Sequence, residues 1–288
     1  MEGPVQWSVI RGSVLGPAPF LIVGILNITP DSFYDGGQWF GHDEALQRGI
    51  RLAQDGADII DVGGESTRPF AEPVLEQDEI DRTVPVIRDL VRQGLAVSID
   101  TTKSGVAAAA LEAGACIVND ISACAFDPEL LDVLVQHKPG YVLMHCQGRP
   151  QDMQRKPCYD NVVPEILEFF EDRLNMLVRA GVPEERIVID PGIGFGKLLE
   201  HNLAILRNIA SFRRLGRPVY LGLSNKSMWE KLLGLPLGER QNATQVATAL
   251  TARSGVRIHR VHDTGLTRQT LTVVQALGGL GGTSCHCD

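Results

Sequence analysis

A chain of 288 residues, 44% of them hydrophobic, can bury a sizeable core, and its length suits one α/β barrel of about 250 residues plus extensions better than two unrelated domains. The net charge of −8 comes with no clustered basic face, which argues against nucleic acid as a partner. No apolar run is long enough to span a bilayer, and Met1-Glu2-Gly3-Pro4-Val5-Gln6-Trp7 lacks the regions of a signal peptide, so neither a membrane anchor nor secretion is expected.

In chain order, residues 5–15 read as a small hairpin able to plug the amino-terminal mouth of the fold that follows. Eight short runs rich in Val, Ile and Leu come next, at 21–27, 58–61, 96–100, 116–120, 141–145, 187–190, 219–224 and 256–262. Helical spacing of apolar residues fills the gaps at 43–55, 76–93, 103–113, 129–137, 161–180, 201–214, 239–253 and 267–277. Several of these stop at glycine, as Gly56, Gly94, Gly114 and Gly181 do. Pro85 should kink the second, and Asp127-Pro128 opens the fourth. The alternation is β-α repeated eight times.

Each apolar run ends on a polar residue, and in parallel β/α proteins the carboxyl ends of strands are where ligands bind. In a flat sheet, strands about 4.8 Å apart would leave the first and eighth ends roughly 34 Å apart. Only a closed barrel lets all eight meet one small molecule. The expected architecture is therefore a single (β/α)8 TIM barrel over 20–278, with a hairpin plug at 1–19 and a flexible tail at 279–288. The six cysteines are irregularly spaced without a CxxC pair, which fits a reducing, cytoplasmic compartment. The Cys285-His286-Cys287 tail follows a glycine-rich stretch and reads as a frayed end rather than a metal site.

Two loops concentrate polar chemistry. After the first run, Asn27-Ile28-Thr29-Pro30-Asp31-Ser32-Phe33-Tyr34-Asp35-Gly36-Gly37 crowds Asn, Thr, Asp and Ser together, although such residues also build ordinary turns. After the second, Asp61-Val62-Gly63-Gly64-Glu65-Ser66-Thr67-Arg68-Pro69 pairs glycines with an arginine of the phosphate-binding type. Asp61 divides evenly between holding a loop and touching a ligand. His145 reads as a pocket wall rather than a catalyst. The segment Gly192–Lys197 fails the phosphate-loop spacing, and Leu198 rather than Ser or Thr follows the lysine.

Gly24–Gly37 and Gly63–Pro69 resemble the signature loops of dihydropteroate synthase, the folate-pathway enzyme of the pterin-binding family. The resemblance continues through Ser98-Ile99-Asp100-Thr101, Val118-Asn119-Asp120, Leu143-Met144-His145, Asp190-Pro191-Gly192-Ile193-Gly194-Phe195-Gly196-Lys197, Ser224 with Lys226 and Ser227, and Arg260-Val261-His262. It spans roughly Gly24 to Leu277. It implies condensation of 7,8-dihydropterin-6-ylmethyl diphosphate with 4-aminobenzoate, giving 7,8-dihydropteroate and diphosphate.

On that resemblance, Asp100, Asn119, Met144, Asp190, Lys226 and Arg260 bind the pterin, and carboxylates and amides do match its alternating donors and acceptors. Thr67, Arg68, Pro69, Phe195 and Ser227 would hold 4-aminobenzoate. Asn27, Asp35, Ser66, Thr67, Arg68, Arg260 and His262 would hold the diphosphate, with Asn27 also on Mg2+. As a neutral amide Asn27 should hold the metal loosely, so that it arrives largely with the substrate. Asp100, Lys226, Arg260 and His262 carry the catalytic roles. No convincing nucleophile is present, so a dissociative substitution is expected, and the family resemblance further implies a homodimer through the last helices.

Three positions depart from the family pattern. Asn225 stands where arginine is usual, Cys146 replaces a commoner methionine or threonine, and Gln241–Thr244 differs at its helix start. Strand alternation should point Asn225 away from Lys226. Two rival readings remain on the same fold, a methyltetrahydrofolate-dependent corrinoid methyltransferase and a non-catalytic pterin-binding paralogue. The first has no diphosphate to bind, so Arg68, Arg260 and His262 would lack a purpose, and the second need not keep both signature loops complete.

Overall fold

The computed structural model describes residues 5–10, 13–28, 37–67 and 71–280. Eight parallel strands form the centre: β3 (Leu21–Asn27), β4 (Ile59–Gly63), β5 (Val97–Asp100), β6 (Ile117–Asp120), β7 (Gly140–Met144), β8 (Ile187–Asp190), β9 (Tyr220–Gly222) and β10 (Ile258–Val261). Their hydrogen-bonded order runs β8-β7-β6-β5-β4-β3-β10-β9. A parallel bridge from Ile189 to Val219 joins the two ends, so the sheet closes into the expected barrel.

Period-two alternation sorts the side chains into two cores. Leu21, Val23, Ile59, Ile117, Val142, Val188, Tyr220 and Ile258 fill the barrel interior, while Leu26, Ile60, Val62, Ile99, Val118, Leu143, Ile189 and Leu221 pack outward against the helices. The hairpin is β1 (Val5–Ser8) and β2 (Val14–Ala18), three residues longer than its sequence span suggested. Val5, Trp7 and Val9 belong to the interior core, and Trp7 donates from Nε1 to the Arg186 carbonyl at 2.7 Å. The hairpin therefore stoppers the amino-terminal end.

The surrounding helices are α1 (Gly37–Gln54), α2 (Glu76–Arg92), α3 (Ser104–Glu112), α4 (Leu130–His137), α5 (Val162–Ala180), α6 (Leu199–Arg207), α7 (Met228–Leu233), α8 (Gln241–Arg253) and α9 (Thr264–Ala276). The helix α2 runs through Pro85. The expected helix 201–214 is two pieces, α6 and a 3-10 turn at Ile209–Leu215, parted at Asn208 (φ −110°). Helix α9 starts earlier than its apolar spacing suggested, because the Asp263 side chain accepts from the Leu266 amide and caps it. Helix α7 was not foreseen: six residues closed by left-handed Gly234 are too short to show a period. Leu280 packs with Phe20 and Ile22, and its carbonyl accepts from Arg257 Nη2 at 2.9 Å; the rest of the tail, 281–288, lies outside the described residues.

Candidate active site

The same alternation that fills the lower barrel with apolar residues puts polar ones at its carboxyl mouth. Counting up from the interior core, the inward positions fall to Asn27, Asp61, Gly63, Ser98, Asp100, Asn119, Met144, Asp190 and Arg260. Asp120, one residue past Asn119, points outward. Its carboxylate accepts from the Ser122 amide (2.7 Å), the Cys124 amide (2.6 Å) and Tyr141 Oη (2.9 Å), so it holds a turn. His145 likewise leaves the mouth, with its ring edge-on to Phe169 at 4.8 Å, beneath α5.

Arg260 organises one side of the mouth. Its Nε donates to Asp61 Oδ2 at 2.6 Å and its Nη2 to Asp100 Oδ2 at 2.5 Å, while Asn119 Nδ2 donates to the same Asp61 oxygen at 3.1 Å. Asp61 thus neither holds a loop nor reaches the surface. It is fully buried and orients two residues above it. Burial pushes the Asp100 carboxyl up to about 7, against the pull of the Arg260 guanidinium. For Arg260 burial works against the charge, but Asp100 and Asp61 outweigh it and hold the guanidinium firmly protonated. Gly63 separates Asn27 from this group: a Cβ there would meet Asn27 Oδ1 at 3.5 Å and Asp100 Oδ2 at 3.7 Å.

Across the mouth stand Asp190 and Lys226. Asp190 Oδ1 accepts from the Gly192 amide at 2.8 Å, and burial raises its carboxyl to about 6. Burial lowers the Lys226 ammonium to about 8, with Asp190 opposing the shift. Lys226 Nζ lies 4.2 Å over the Phe195 ring, a cation–π contact, and its stem passes Gly194, where a Cβ would meet Lys226 Cδ at 3.4 Å. Met144 is buried on the inward face of β7. Ser227 is exposed at the head of α7.

His262 follows β10 on the Arg260 face. Its amide donates to Ser224 Oγ at 3.3 Å, and the Ser224 hydroxyl lies 2.9 Å from Nδ1. With the hydroxyl donating to Nδ1, the ring proton sits on Nε2. A cavity of about 180 Å³ beside Asp100 is lined by Thr67, Thr101 and Ile121, and a groove of about 540 Å³ beside His262 by Asn225 and Asp263. Ser66 and Thr67 leave β4 half-buried, whereas Asp35, Arg68 and Pro69 lie outside the described residues.

Asn225 adopts φ +59°, a left-handed backbone that asparagine tolerates better than most residues. Its carbonyl accepts from Arg240 Nη1 at 3.2 Å. The side chain of Arg240 also reaches the Leu235 carbonyl at 3.1 Å and the Glu230 carboxylate, so an arginine does brace this turn, from the head of α8. Cys146 is half-buried, its Sγ 3.3 Å from the Gly148 carbonyl.

The mouth therefore brings together three carboxylates, one of them buried beneath the others, an amide, an arginine and a lysine facing inward, with a histidine donor and an amide oxygen at the rim. Such a set can read a flat polar heterocycle, stabilise a cation formed on it and bind a departing anion. Sequence reasoning undervalued Asp61 and passed over Ser224. Both could have been found by extending the inward alternation, Ile59-Asp61-Gly63 on β4 and Tyr220-Gly222-Ser224 beyond β9. Among the described residues no group of three or more His, Cys, Asp or Glu could hold a metal ion. The Asn27 oxygen, a hard neutral donor at the rim, suits a Mg2+ whose other ligands come from a phosphate.

Known proteins resemble the chain over most of its length. Residues 23–262 match the family described as pterin binding enzyme. The chain is 43% identical over 258 residues to the dihydropteroate synthase of Synechocystis sp., covering 89% of each chain. The Yersinia pestis dihydropteroate synthase, solved with a sulfonamide drug complex, superposes with a TM-score of 0.89 at 38% identity, covering 95% of this chain and 99% of that one. The Xanthomonas albilineans dihydropteroate synthase in complex with 7,8-dihydropteroate gives a TM-score of 0.85 at 37% identity, covering 95% and 98%.

Proposed function

The chain belongs to the pterin binding enzyme family, and we propose how its mouth performs the transferase reaction of a dihydropteroate synthase in folate biosynthesis. The reaction joins 7,8-dihydropterin-6-ylmethyl diphosphate to 4-aminobenzoate. Asp100, Asn119 and Asp190 take the donors and acceptors of the pterin edge, Met144 packs against it, Lys226 completes the set, and the Arg260 side chain stacks on the ring. The observation that carries this reading is the Asp61–Arg260–Asp100–Asn119 network, which fixes four side chains before any ligand arrives.

Bond breaking comes first. The bond from the pterin methylene carbon to the diphosphate oxygen breaks, its electron pair leaves with diphosphate, and a methylene cation delocalised into the pterin remains. Asp100 and Asp190 stabilise that cation, while Arg260, His262 Nε2–H, Asn27, Ser66, Thr67 and Arg68 donate to the departing diphosphate. Removing one preorganised donor of this kind costs on the order of 3 kcal/mol in the transition state. Mg2+, held by Asn27 and the diphosphate oxygens, would supply further neutralisation of the leaving group. The neutral arylamine then attacks the cation and loses a proton. Thr67, Arg68, Pro69, Phe195 and Ser227 hold 4-aminobenzoate, with its carboxylate near Ser227.

The barrel acts as one domain over 20–278, behind the 1–19 hairpin. Exposed Val246 and Leu250 on α8, with Val273 and Leu277 at the end of α9, support a homodimer through these packed helices. No helix among the described residues is long and apolar enough to cross a membrane, and the cysteine pattern supports the cytoplasm as the site of action.

Diphosphate release by purified protein, with Mg2+ and the dihydropterin diphosphate, tests the reading. Release should depend on 4-aminobenzoate and yield dihydropteroate, and sulfonamides should compete with the arylamine. Tight pterin binding without turnover would indicate a binding paralogue, and binding of methyltetrahydrofolate a methyltransferase. Inhibition not competitive with 4-aminobenzoate would move the aryl site elsewhere.

A further inference from the structure

Lys197 is a buried charge for which the proposed mechanism has no use. It is 2% exposed, in the loop joining β8 to α6. Its Nζ reaches His145 Nδ1 at 3.0 Å, the His145 carbonyl at 3.3 Å and the Phe195 carbonyl at 2.9 Å. All three partners are neutral acceptors, and an ammonium has three N–H groups to match them. Burial pushes this ammonium down to about 7, with Cys146 and Asp190 opposing the shift. Burial and the Lys197 charge together push His145 down to about 2. A neutral ring with Nδ1 as acceptor is the partner this geometry requires.

The location gives the arrangement its meaning. The loops after β7 and β8 lie backbone against backbone. A Cβ on Gly192 (φ +69°) would fall 2.0 Å from the His145 carbonyl oxygen, and one on Gly196 (φ +59°) 2.2 Å from that of Gln147. Gln154 Nε2 donates to the Gly194 carbonyl at 2.5 Å, and Tyr159 Oη to the Gly196 carbonyl at 3.0 Å. Lys197 is the charged tie in this seam. Its hydrogen bond to the Phe195 carbonyl holds the backbone whose side chain carries Lys226 on its face.

We propose that Lys197 is a positioning residue for the arylamine half-site, acting through Phe195. It touches no substrate. Of the pterin-facing residues Asp100 and Asn119 stand on other strands, while Met144 and Asp190 end the two strands whose loops it ties and Lys226 rests on the Phe195 ring. This rests on the synthase reading, with Phe195 as a wall of the 4-aminobenzoate site. Loss of Lys197 therefore weakens capture of the arylamine far more than capture of the pterin.

Steady-state KM values for both substrates in wild-type, Lys197→Met, Phe195→Leu and the double variant test this. Lys197→Met should raise KM for 4-aminobenzoate about tenfold, the scale of one charge-assisted hydrogen bond. KM for the dihydropterin diphosphate should rise by a smaller factor, about two- to threefold, through the Lys226 contact with the Phe195 ring. The double variant should be no worse than Phe195→Leu alone, because the lysine acts through that ring. Parallel rises in both KM values, or additive effects, would overturn the proposal. If Lys197→Met does not fold, Lys197→Gln, which keeps a donor, takes its place in the same cycle. Failure of both to fold would assign Lys197 to stability alone and equally overturn it. A wild-type protein that forms no dihydropteroate would refute the synthase reading itself, and this proposal with it.

Discussion

Asp61 should matter to the reaction without touching the pterin. It is fully buried, and one of its oxygens accepts from both Arg260 and Asn119. Asp61→Asn keeps the shape and one acceptor but removes the charge that Arg260 meets. A hydrogen bond to a charged group is worth about 1.5–3 kcal/mol, so chemical denaturation should register a loss of that size. Asp61→Ala leaves the guanidinium with Asp100 alone and Asn119 without its partner, and breaking a buried pair costs about 3–5 kcal/mol. With Arg260 proposed to stack on the pterin, kcat/KM for the dihydropterin diphosphate should fall about ten- to a hundredfold in Asp61→Asn. KM for 4-aminobenzoate should change less, because Asp61 hydrogen-bonds Arg260 and Asn119 and neither is proposed to hold the arylamine. Steady-state kinetics with each substrate varied in turn, beside urea unfolding curves, measures both effects. An Asp61→Asn variant with wild-type stability and wild-type pterin kinetics would show that the network does not organise the site.

Lys226→Ala should lower turnover by about a hundredfold or more while circular dichroism stays native, since Lys226 lies at a strand end outside the apolar core. The pH dependence of kcat/KM for the dihydropterin diphosphate should be bell-shaped. Activity rises as Asp190 and Asp100, raised to about 6 and about 7, become carboxylates. It falls as Lys226, lowered to about 8, loses its proton. Lys226→Arg should carry the basic limb upward, because a guanidinium stays charged; an unmoved limb would exclude Lys226 as its source. Leu250→Glu, on the exposed face of α8, should convert a dimer to a monomer in sedimentation experiments, and an unchanged mass would place any interface elsewhere.

The sequence made the barrel legible because every barrel strand after the first is a short apolar run between helical stretches, and helices that close on glycine mark their own ends. It lost resolution where period and length fail together. Helix α7 is one such place, and the division of the expected 201–214 helix at Asn208 is another. Most inward polar residues were also legible. Strand alternation separates Asn119 from Asp120, and only the first enters the mouth. Asp61 resisted assignment because its role comes from an arginine 199 positions away in the chain. Lys197 looked like part of a glycine-rich loop, since nothing local announces that two of its three acceptors belong to His145, after the neighbouring strand.

By itself the sequence determined the eightfold β-α alternation, the apolar period of each strand and the polar residue types at their carboxyl ends. Those are local properties, written in spacing of two to four residues, and they are enough to require closure and a shared mouth. The tertiary structure alone decided which charges meet. Arg260 between Asp61 and Asp100, Lys226 over Phe195 and Lys197 among three neutral acceptors all depend on strands distant in sequence becoming neighbours in the ring. Hydrogen bonds need their partners within about 3.2 Å, and charge pairs interact most strongly at contact in a low-dielectric site, so these contacts exist only once the barrel has closed.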